Sequence, residues 1–280
     1  MINKLLKIKF IKVLLCILEN FIKRVSLKVW KKIEIYFFNP YDFWENNVEY
    51  TKRLWSEVYE YCKKYKLDIK NKNLLELWPW GFLWVWAFLK NKWLNKYYVI
   101  DNINHFEKIN KKIKKLYNNI NKSFLKSDYF DMEFVKILDY KNNQISLDNN
   151  KIDIIFSKAV YEHIYDVEKS IKELARISKK WAIWIHTIDL KDHIFDKTSL
   201  YFLTINNFIF DLLFKKSWAW VNRKRYWFYK KVFLENWFEI LEEIIWKNFD
   251  EKSLKKYKKK IKLEKNDLII SDYTLIVRKK

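Results

Sequence analysis

Apolar and polar positions alternate at helical spacing near the start of the chain. Through 4–24, Lys9, Lys12, Glu19, Asn20 and Lys23 share one stripe and most apolar residues face away from it, which predicts an amphipathic helix. Such a helix either packs on its own domain or lies on an anionic membrane surface. Asn39-Pro40 marks a turn, and 46–66 reads as a second helix. From Leu74 the pattern changes. NLLELW reads as a short buried strand, FLWVWAFLKNKW as a helix, KYYVID as a second strand and NHFEKINKKIKKLYNNI as a polar helix. VKILDY and KIDIIFS read as the third and fourth strands. DVEKSIKELARIS predicts a helix with Asp166 as its N-cap, and WAIWIHTIDL a fifth strand. Region 198–216 is apolar and reads as helix or loop. FYKKVFLENWFEILEEII predicts a helix, a break at Asn236-Trp237 and a strand, and YTLIVRKK closes the series. Strands alternating with helices, each strand apolar along most of its length, argue a doubly wound, mostly parallel α/β sheet of seven strands.

Composition changes this picture at one point. The 280 residues include a single glycine, Gly81, and 15 tryptophans, where average usage gives roughly 20 glycines. Left-handed turns and close backbone approaches call for glycine because it has no Cβ. Trp78, Trp80, Trp181 and Trp237 stand where turn chemistry expects it. Most of the tryptophans are therefore read as misdecoded glycines, arising where UGA is translated as Trp although the source reads it as Gly. UGG codons at these positions would refute this. Trp30, Trp44 and Trp55 lie in ordinary helical or aromatic surroundings and need no such explanation.

Charge and cysteine usage mainly exclude. The net charge of +22 comes from lysines spread along the whole chain, so a nucleic-acid tract is not expected; even the dense run Lys255–Lys265 reads as a solvated face. Cys16 and Cys62 have neither disulfide-framework nor metal-ligand spacing, so no metal site is expected and a reducing cytoplasm fits. The apolar run Val13–Leu18 is short and ends at Glu19, so a signal peptide is not expected. No run of 18 apolar residues occurs, so no transmembrane helix is expected either.

The candidate chemistry starts at LLELWPWG. A strand ends in an acid, Glu76, and a turn then opens a helix; with Gly at 78 and 80 beside Gly81, the turn becomes glycine-rich and lets a ligand approach the main chain. Asp101 closes the second strand 21 residues after Trp80, the place of a ribose-reading acid in nucleotide-binding sheets. The ligand would sit at the carboxyl ends of the strands, at the topological switch point. Over residues 70–280 the chain resembles class I S-adenosylmethionine-dependent methyltransferases of the type 11 kind. ELWPWG is similar to the first motif, VID at Asp101 to the ribose acid and LDY at Asp139 to the acid near the adenine. IDIIFSKAVYEHIYD is similar to the fourth strand with the segment after it, and SKKWAIWIHTIDLKDH to the segment entering the fifth. NRKRYWFYKKVFLENWFEIL is similar to the later, substrate-side part. The sequence departs from the family at Trp78, Trp80 and Lys180-Trp181.

The resemblance implies a Rossmann-like doubly wound, seven-stranded, mostly parallel sheet with the last strand antiparallel. It implies S-adenosyl-L-methionine as cofactor, held by Glu76, Trp78, Trp80, Gly81, Asp101 and Asp139, and methyl transfer to a small-molecule, sugar or lipid-linked acceptor. Domain boundaries are expected at 1–45 for a helical arm and 46–280 for the methyltransferase domain, with 190–230 as a substrate-side insertion. His163, His186 and Asp189 are catalytic candidates beside the ends of the fourth and fifth strands, with Glu162, Asp192 and His193 close by. Arg223, Arg225 and Tyr226 suit either an anionic substrate group or a charged helix start. A cytoplasmic enzyme is expected, with contact to the inner face of the membrane through 4–24 as the variant reading. The alternatives are an inactive binding protein whose cofactor site is filled by Trp, or an NAD-dependent enzyme, against which the EH pair after the fourth strand argues.

Overall fold

A computed structural model describes residues 9–30, 48–79, 94–100, 135–138, 140–141 and 144–280. Its strands are β1 (Asn73–Leu77), β2 (Lys96–Ile100), β3 (Val135–Ile137), β4 (Tyr140–Lys141), β5 (Gln144–Ile145), β6 (Ile152–Lys158), β7 (Ser178–Asp189), β8 (Phe238–Asn248) and β9 (Ile270–Lys279). Seven of them form one sheet in the order β3-β2-β1-β6-β7-β9-β8. β1, β2, β3, β6 and β7 are mutually parallel, and β9 runs antiparallel to both β7 and β8. The order reverses between β1 and β6, which makes their carboxyl ends the switch point where ligands bind in such sheets.

Local chemistry accounts for the elements. Leu74, Leu75, Glu76 and Leu77 are all buried, as a central parallel strand covered on both faces requires. Helix α3 (Val167–Ile177) begins where the Asp166 carboxylate accepts the Lys169 amide at 3.0 Å, the expected N-cap. Helix α5 (Tyr226–Glu235) packs on β8 and carries Tyr229 and Phe233 into the core. There Trp184 of β7 is fully enclosed, its ring 4.3 Å from Phe238 and its Nε1 donating to Ser178 Oγ at 3.1 Å. The expected third strand over 135–140 is shorter than its apolar run: β3 ends at Ile137 and Tyr140 opens the small hairpin β4–β5. β3 is a sheet edge with one neighbour, and short edges are the rule there.

The amphipathic helix is α1 (Lys9–Val25), and a second helix, α2, spans Val48–Lys64. Region 190–230 folds around α4 (Asn207–Phe214); α6 (Glu251–Tyr257) and α7 (Lys265–Ile269) precede β9. α1 lies against α4, with Cys16, Glu19 and Asn20 buried. No described helix is long and apolar enough to cross a membrane.

Three tryptophans adopt left-handed backbone angles: Trp78 at φ 47°, Trp181 at 67° and Trp237 at 69°. All three are positions where turn chemistry expects glycine; Trp80, the fourth, lies outside the described residues. A side chain bearing a Cβ costs about 1–2 kcal/mol in this region, and glycine costs nothing there. Trp181 and Trp237 project into solvent, 56% and 78% exposed, so little burial offsets the strain. Trp237→Gly is expected to raise unfolding free energy by about 1 kcal/mol. Trp181→Gly should raise it less, because Lys180 Nζ sits 4.8 Å above that indole and the contact would be lost. Urea titration checks both. Destabilisation by Trp237→Gly would refute the strain argument.

Candidate active site

The site begins at the end of β1. Glu76 is 1% exposed in an otherwise apolar strand, opposite Val99 of β2 and Phe156 of β6. Its carboxylate accepts the Tyr97 hydroxyl, a short contact across the β1–β2 pair. One residue past the strand, the Trp78 amide donates to Ile100 O at 2.7 Å. That bond and the left-handed φ bend the chain over the carboxyl ends of β1 and β2. The Trp78 indole packs against the core beneath. Gly81, Asp101 and Asp139 lie outside the described residues, as does Trp80.

The other half of the site comes from β6 and β7. After β6 the chain turns at Ala159 (φ 54°), whose amide donates to Thr187 O at 2.8 Å, and enters a short 3-10 turn, Tyr161–His163. The His163 ring is tied to Trp220 O through Nδ1 at 2.6 Å. A carbonyl only accepts, so Nδ1 carries the proton and Nε2 the lone pair. The ring lies 5.1 Å from that of His193. His193 Nε2 in turn lies 3.4 Å from Asp189 Oδ2 at the end of β7, and Lys191 Nζ meets Asp189 at 2.9 Å. Burial alone would raise the Asp189 pKa; the hydrogen bond and charge of His193, together with Lys191, outweigh it and hold the carboxylate below its usual range. Burial, with His193 alongside, lowers the His163 pKa to about 3, so that ring is neutral at pH 7. The structure thus brings His163, His193 and Asp189 into one row beside the switch point.

His186 stands apart from this row. It is 0% exposed in mid-β7, with Nδ1 2.8 Å from Ser157 Oγ and its ring stacked 5.7 Å from Phe233. Burial lowers its pKa to about 3. A depressed pKa contributes stability that is present above the unfolded value, 6.5, and lost as pH falls toward the folded one. Glu162 acts in the opposite sense. It is 2% exposed, neither carboxyl oxygen has a partner among the described residues, and burial, followed by the Asp189 charge, pushes its pKa well up. The clean readout is therefore a difference: between about pH 7 and pH 5, His186→Asn should lose less stability than the parent chain. Equal losses in denaturant titrations at the two pH values would refute this.

The arginines are committed to the fold. Arg225 Nη1 donates to Leu190 O at 2.6 Å, and Nη2 to Leu268 O and Ile270 O at 3.2 and 2.6 Å. Arg223 donates to Phe202 O and Ile205 O at 3.1 and 2.7 Å. The Tyr226 hydroxyl goes to Glu243 at 2.7 Å. The helix-start reading of these residues therefore holds over the anion-binding one. Asn222 has a role that sequence reasoning missed. Its Nδ2 donates to Tyr161 O and Ile164 O at 2.8 and 3.0 Å, clamping the turn that carries His163. Nothing in NRKR distinguishes it, because its partners lie 58 and 61 residues away. Asp192 accepts the amides of Ile194, Phe195 and Asp196 and so shapes the loop after β7. Among the described residues no cluster of three or more His, Cys, Asp or Glu could hold a metal ion.

An acid at the end of β1, a left-handed bend after it and polar side chains over β6 and β7 make the carboxyl ends of these strands the candidate ligand site of this doubly wound sheet. Residues 93–184 match the methyltransferase domain family. Among solved structures, a candidate sarcosine dimethylglycine methyltransferase from Galdieria sulphuraria is similar in fold, at TM-score 0.50 and 15% identity, covering 84% of this chain and 87% of that one. A candidate S-adenosylmethionine-dependent methyltransferase from Listeria monocytogenes aligns at TM-score 0.48 and 14% identity, covering 76% and 93%. Among curated proteins none matches. Over residues 93–184 the chain is similar to a methyltransferase domain, and the likeness to the Galdieria structure is one of fold. Glu76 is a buried acceptor at the strand end, and the bend at 78 takes an angle natural to glycine. The indole at 78 is the group that departs from such a turn.

Proposed function

We propose that the chain is a class I S-adenosylmethionine-dependent methyltransferase with S-adenosyl-L-methionine as cofactor, that it methylates an oxygen, nitrogen or carbon nucleophile of a small-molecule, sugar or lipid-linked acceptor held over the carboxyl ends of β6 and β7, and that its native chain carries glycine at 78 and 80. The cofactor would supply a methyl group already activated on a sulfonium, leaving the protein mainly to position the acceptor and exclude water. Glu76, the main chain at 78–81, Asp101 and Asp139 are the residues proposed to hold it. Asp189 orients His193, and this pair, with His163 beside it, is proposed to take a proton from the acceptor. The observation that carries the reading is the left-handed bend at Trp78, two residues after the buried Glu76.

The experiment uses the chain with glycine at 78 and 80, radiolabelled S-adenosylmethionine, and separate amine, sugar and lipid-linked acceptor pools. Label should pass into one pool. Asp189→Asn should lower kcat about 100-fold with cofactor affinity unchanged. Transfer undiminished in Asp189→Asn would remove the His–Asp pair from the proposal. Failure of the glycine-bearing chain to bind cofactor would overturn the site itself.

A further inference from the structure

α1 buries part of its polar face together with Val13, Cys16 and Ile17. Glu19 and Asn20 are 2% and 3% exposed. Glu19 accepts the Trp218 amide at 2.9 Å and pairs with Lys23 at 2.6 Å. Asn20 Nδ2 donates to Leu212 O at 2.9 Å while its Oδ1 accepts the Lys216 amide at 2.9 Å, and Arg24 donates to Asp211 O at 2.9 Å. These polar groups satisfy main-chain groups at the carboxyl end of α4, where a helix leaves carbonyls unpaired. A second apolar stripe faces outward. Phe10, Leu14, Leu18, Phe21 and Val25 are 71%, 48%, 53%, 64% and 72% exposed. The neighbouring α4 does the same with Phe208, Ile209 and Leu212, and Trp218 stands at the joint with Lys12 Nζ 5.3 Å over its ring. At the start of the stripe a cavity of about 360 Å³ opens beside Phe10 and Val13, walled by Phe195, Tyr201 and Tyr257.

Contiguous exposed apolar surface on this scale marks an interaction face. Its charge selects the occupant. Between residues 9 and 30 the cations are Lys9, Lys12, Lys23, Arg24 and Lys28, and the single acid, Glu19, is turned inward. Lys215 and Lys216 add to the rim from the end of α4, and the whole chain carries +22. A second copy would bring like-charged rims together, whereas an anionic bilayer offers both an apolar interior and opposite charge. We propose that α1 and α4 form a docking face for an anionic lipid bilayer. The aromatic and leucyl side chains enter the headgroup–acyl boundary and the lysines engage the headgroups. The proposal stands apart from the acceptor assignment, because it concerns a face built without Glu76, His163, Asp189 or His193.

The test is sedimentation of the full chain with vesicles, made either of phosphatidylcholine alone or of equal parts phosphatidylcholine and phosphatidylglycerol. Binding to the anionic vesicles should be at least about tenfold tighter and should weaken with salt. Phe10→Ser/Leu14→Ser/Phe21→Ser should reduce it by about tenfold or more with an unchanged melting temperature, since these side chains are exposed. Lys28→Glu/Lys216→Glu should reduce it without touching the apolar stripe. Three results would overturn the proposal: equal binding to both vesicle types, undiminished binding by the serine variant, or a lipid-free dimer that the serine substitutions dissociate.

Discussion

Replacing Trp78 and Trp80 with glycine is expected to tighten binding of S-adenosylmethionine by about 100-fold, equivalent to ~3 kcal/mol. The first contribution is conformational. Trp78 sits at φ 47°, where a residue with a Cβ bears about 1–2 kcal/mol that glycine does not. The second is steric: the bend lies over the carboxyl ends of β1 and β2, against which a nucleoside must approach the main chain closely. Isothermal titration of both chains with S-adenosylmethionine and S-adenosylhomocysteine measures the difference. Glu76→Ala in the glycine chain should reverse most of the gain, because Glu76 is the buried acceptor beside the bend. Equal affinities with Trp and Gly would defeat the steric argument and favour a binding protein with an indole-filled site. Mass spectrometry of the protein from its own cell tests the premise directly: positions 78, 181 and 237 should each weigh as glycine.

Arg225→Ala is expected to cost about 3 kcal/mol or more of unfolding free energy, the largest single-residue loss outside the apolar core. The guanidinium is 3% exposed and joins the end of β7, at Leu190, to Leu268 and Ile270 where β9 begins. Burial lowers its pKa to about 10, so it remains charged at neutral pH. Removing it leaves three carbonyls without that donor and a void between them. Arg225→Lys should recover only part of the loss, since an ammonium cannot fork to carbonyls on two elements. Guanidinium-chloride titration checks this, with Arg223→Ala as a milder comparison because that side chain is partly solvated. A near-neutral Arg225→Ala would show that neighbouring groups re-satisfy the carbonyls.

Several features were legible because they depend on residues close in sequence. The N-cap at Asp166 needs only a carboxylate three positions before an amide. Strands β1, β2, β6 and β7 show as continuous apolar runs because both faces of a parallel sheet are covered. The glycine-demanding bends at 78, 181 and 237 could be placed because turn chemistry is local and the tryptophans there are out of pattern. The acids at 76 and 189 could be named because they end strands. The order in which His163, His193 and Asp189 meet could not be read. His163 is on the turn after β6 and His193 on the loop after β7, and only parallel pairing of those strands sets their rings 5.1 Å apart. His186 shares β7 with Asp189, yet its neighbours across the sheet enclose it while the strand end stays at the rim.

The sequence by itself determined the doubly wound α/β class, the left-handed bends at 78, 181 and 237, and the acid that closes the first strand. Each follows from side-chain size, period or polarity over a few consecutive positions. Tertiary structure alone decided which face of the N-terminal helix points outward, that Arg225 ties β7 to β9, and which histidines gather at the rim. These outcomes depend on groups far apart in the chain: Asn20 turns inward to bond Leu212 O and the Lys216 amide, at and just past the end of α4 and 192 and 196 residues away. A periodic pattern shows that a helix has two faces; which face is covered depends on the polar groups its neighbour must satisfy.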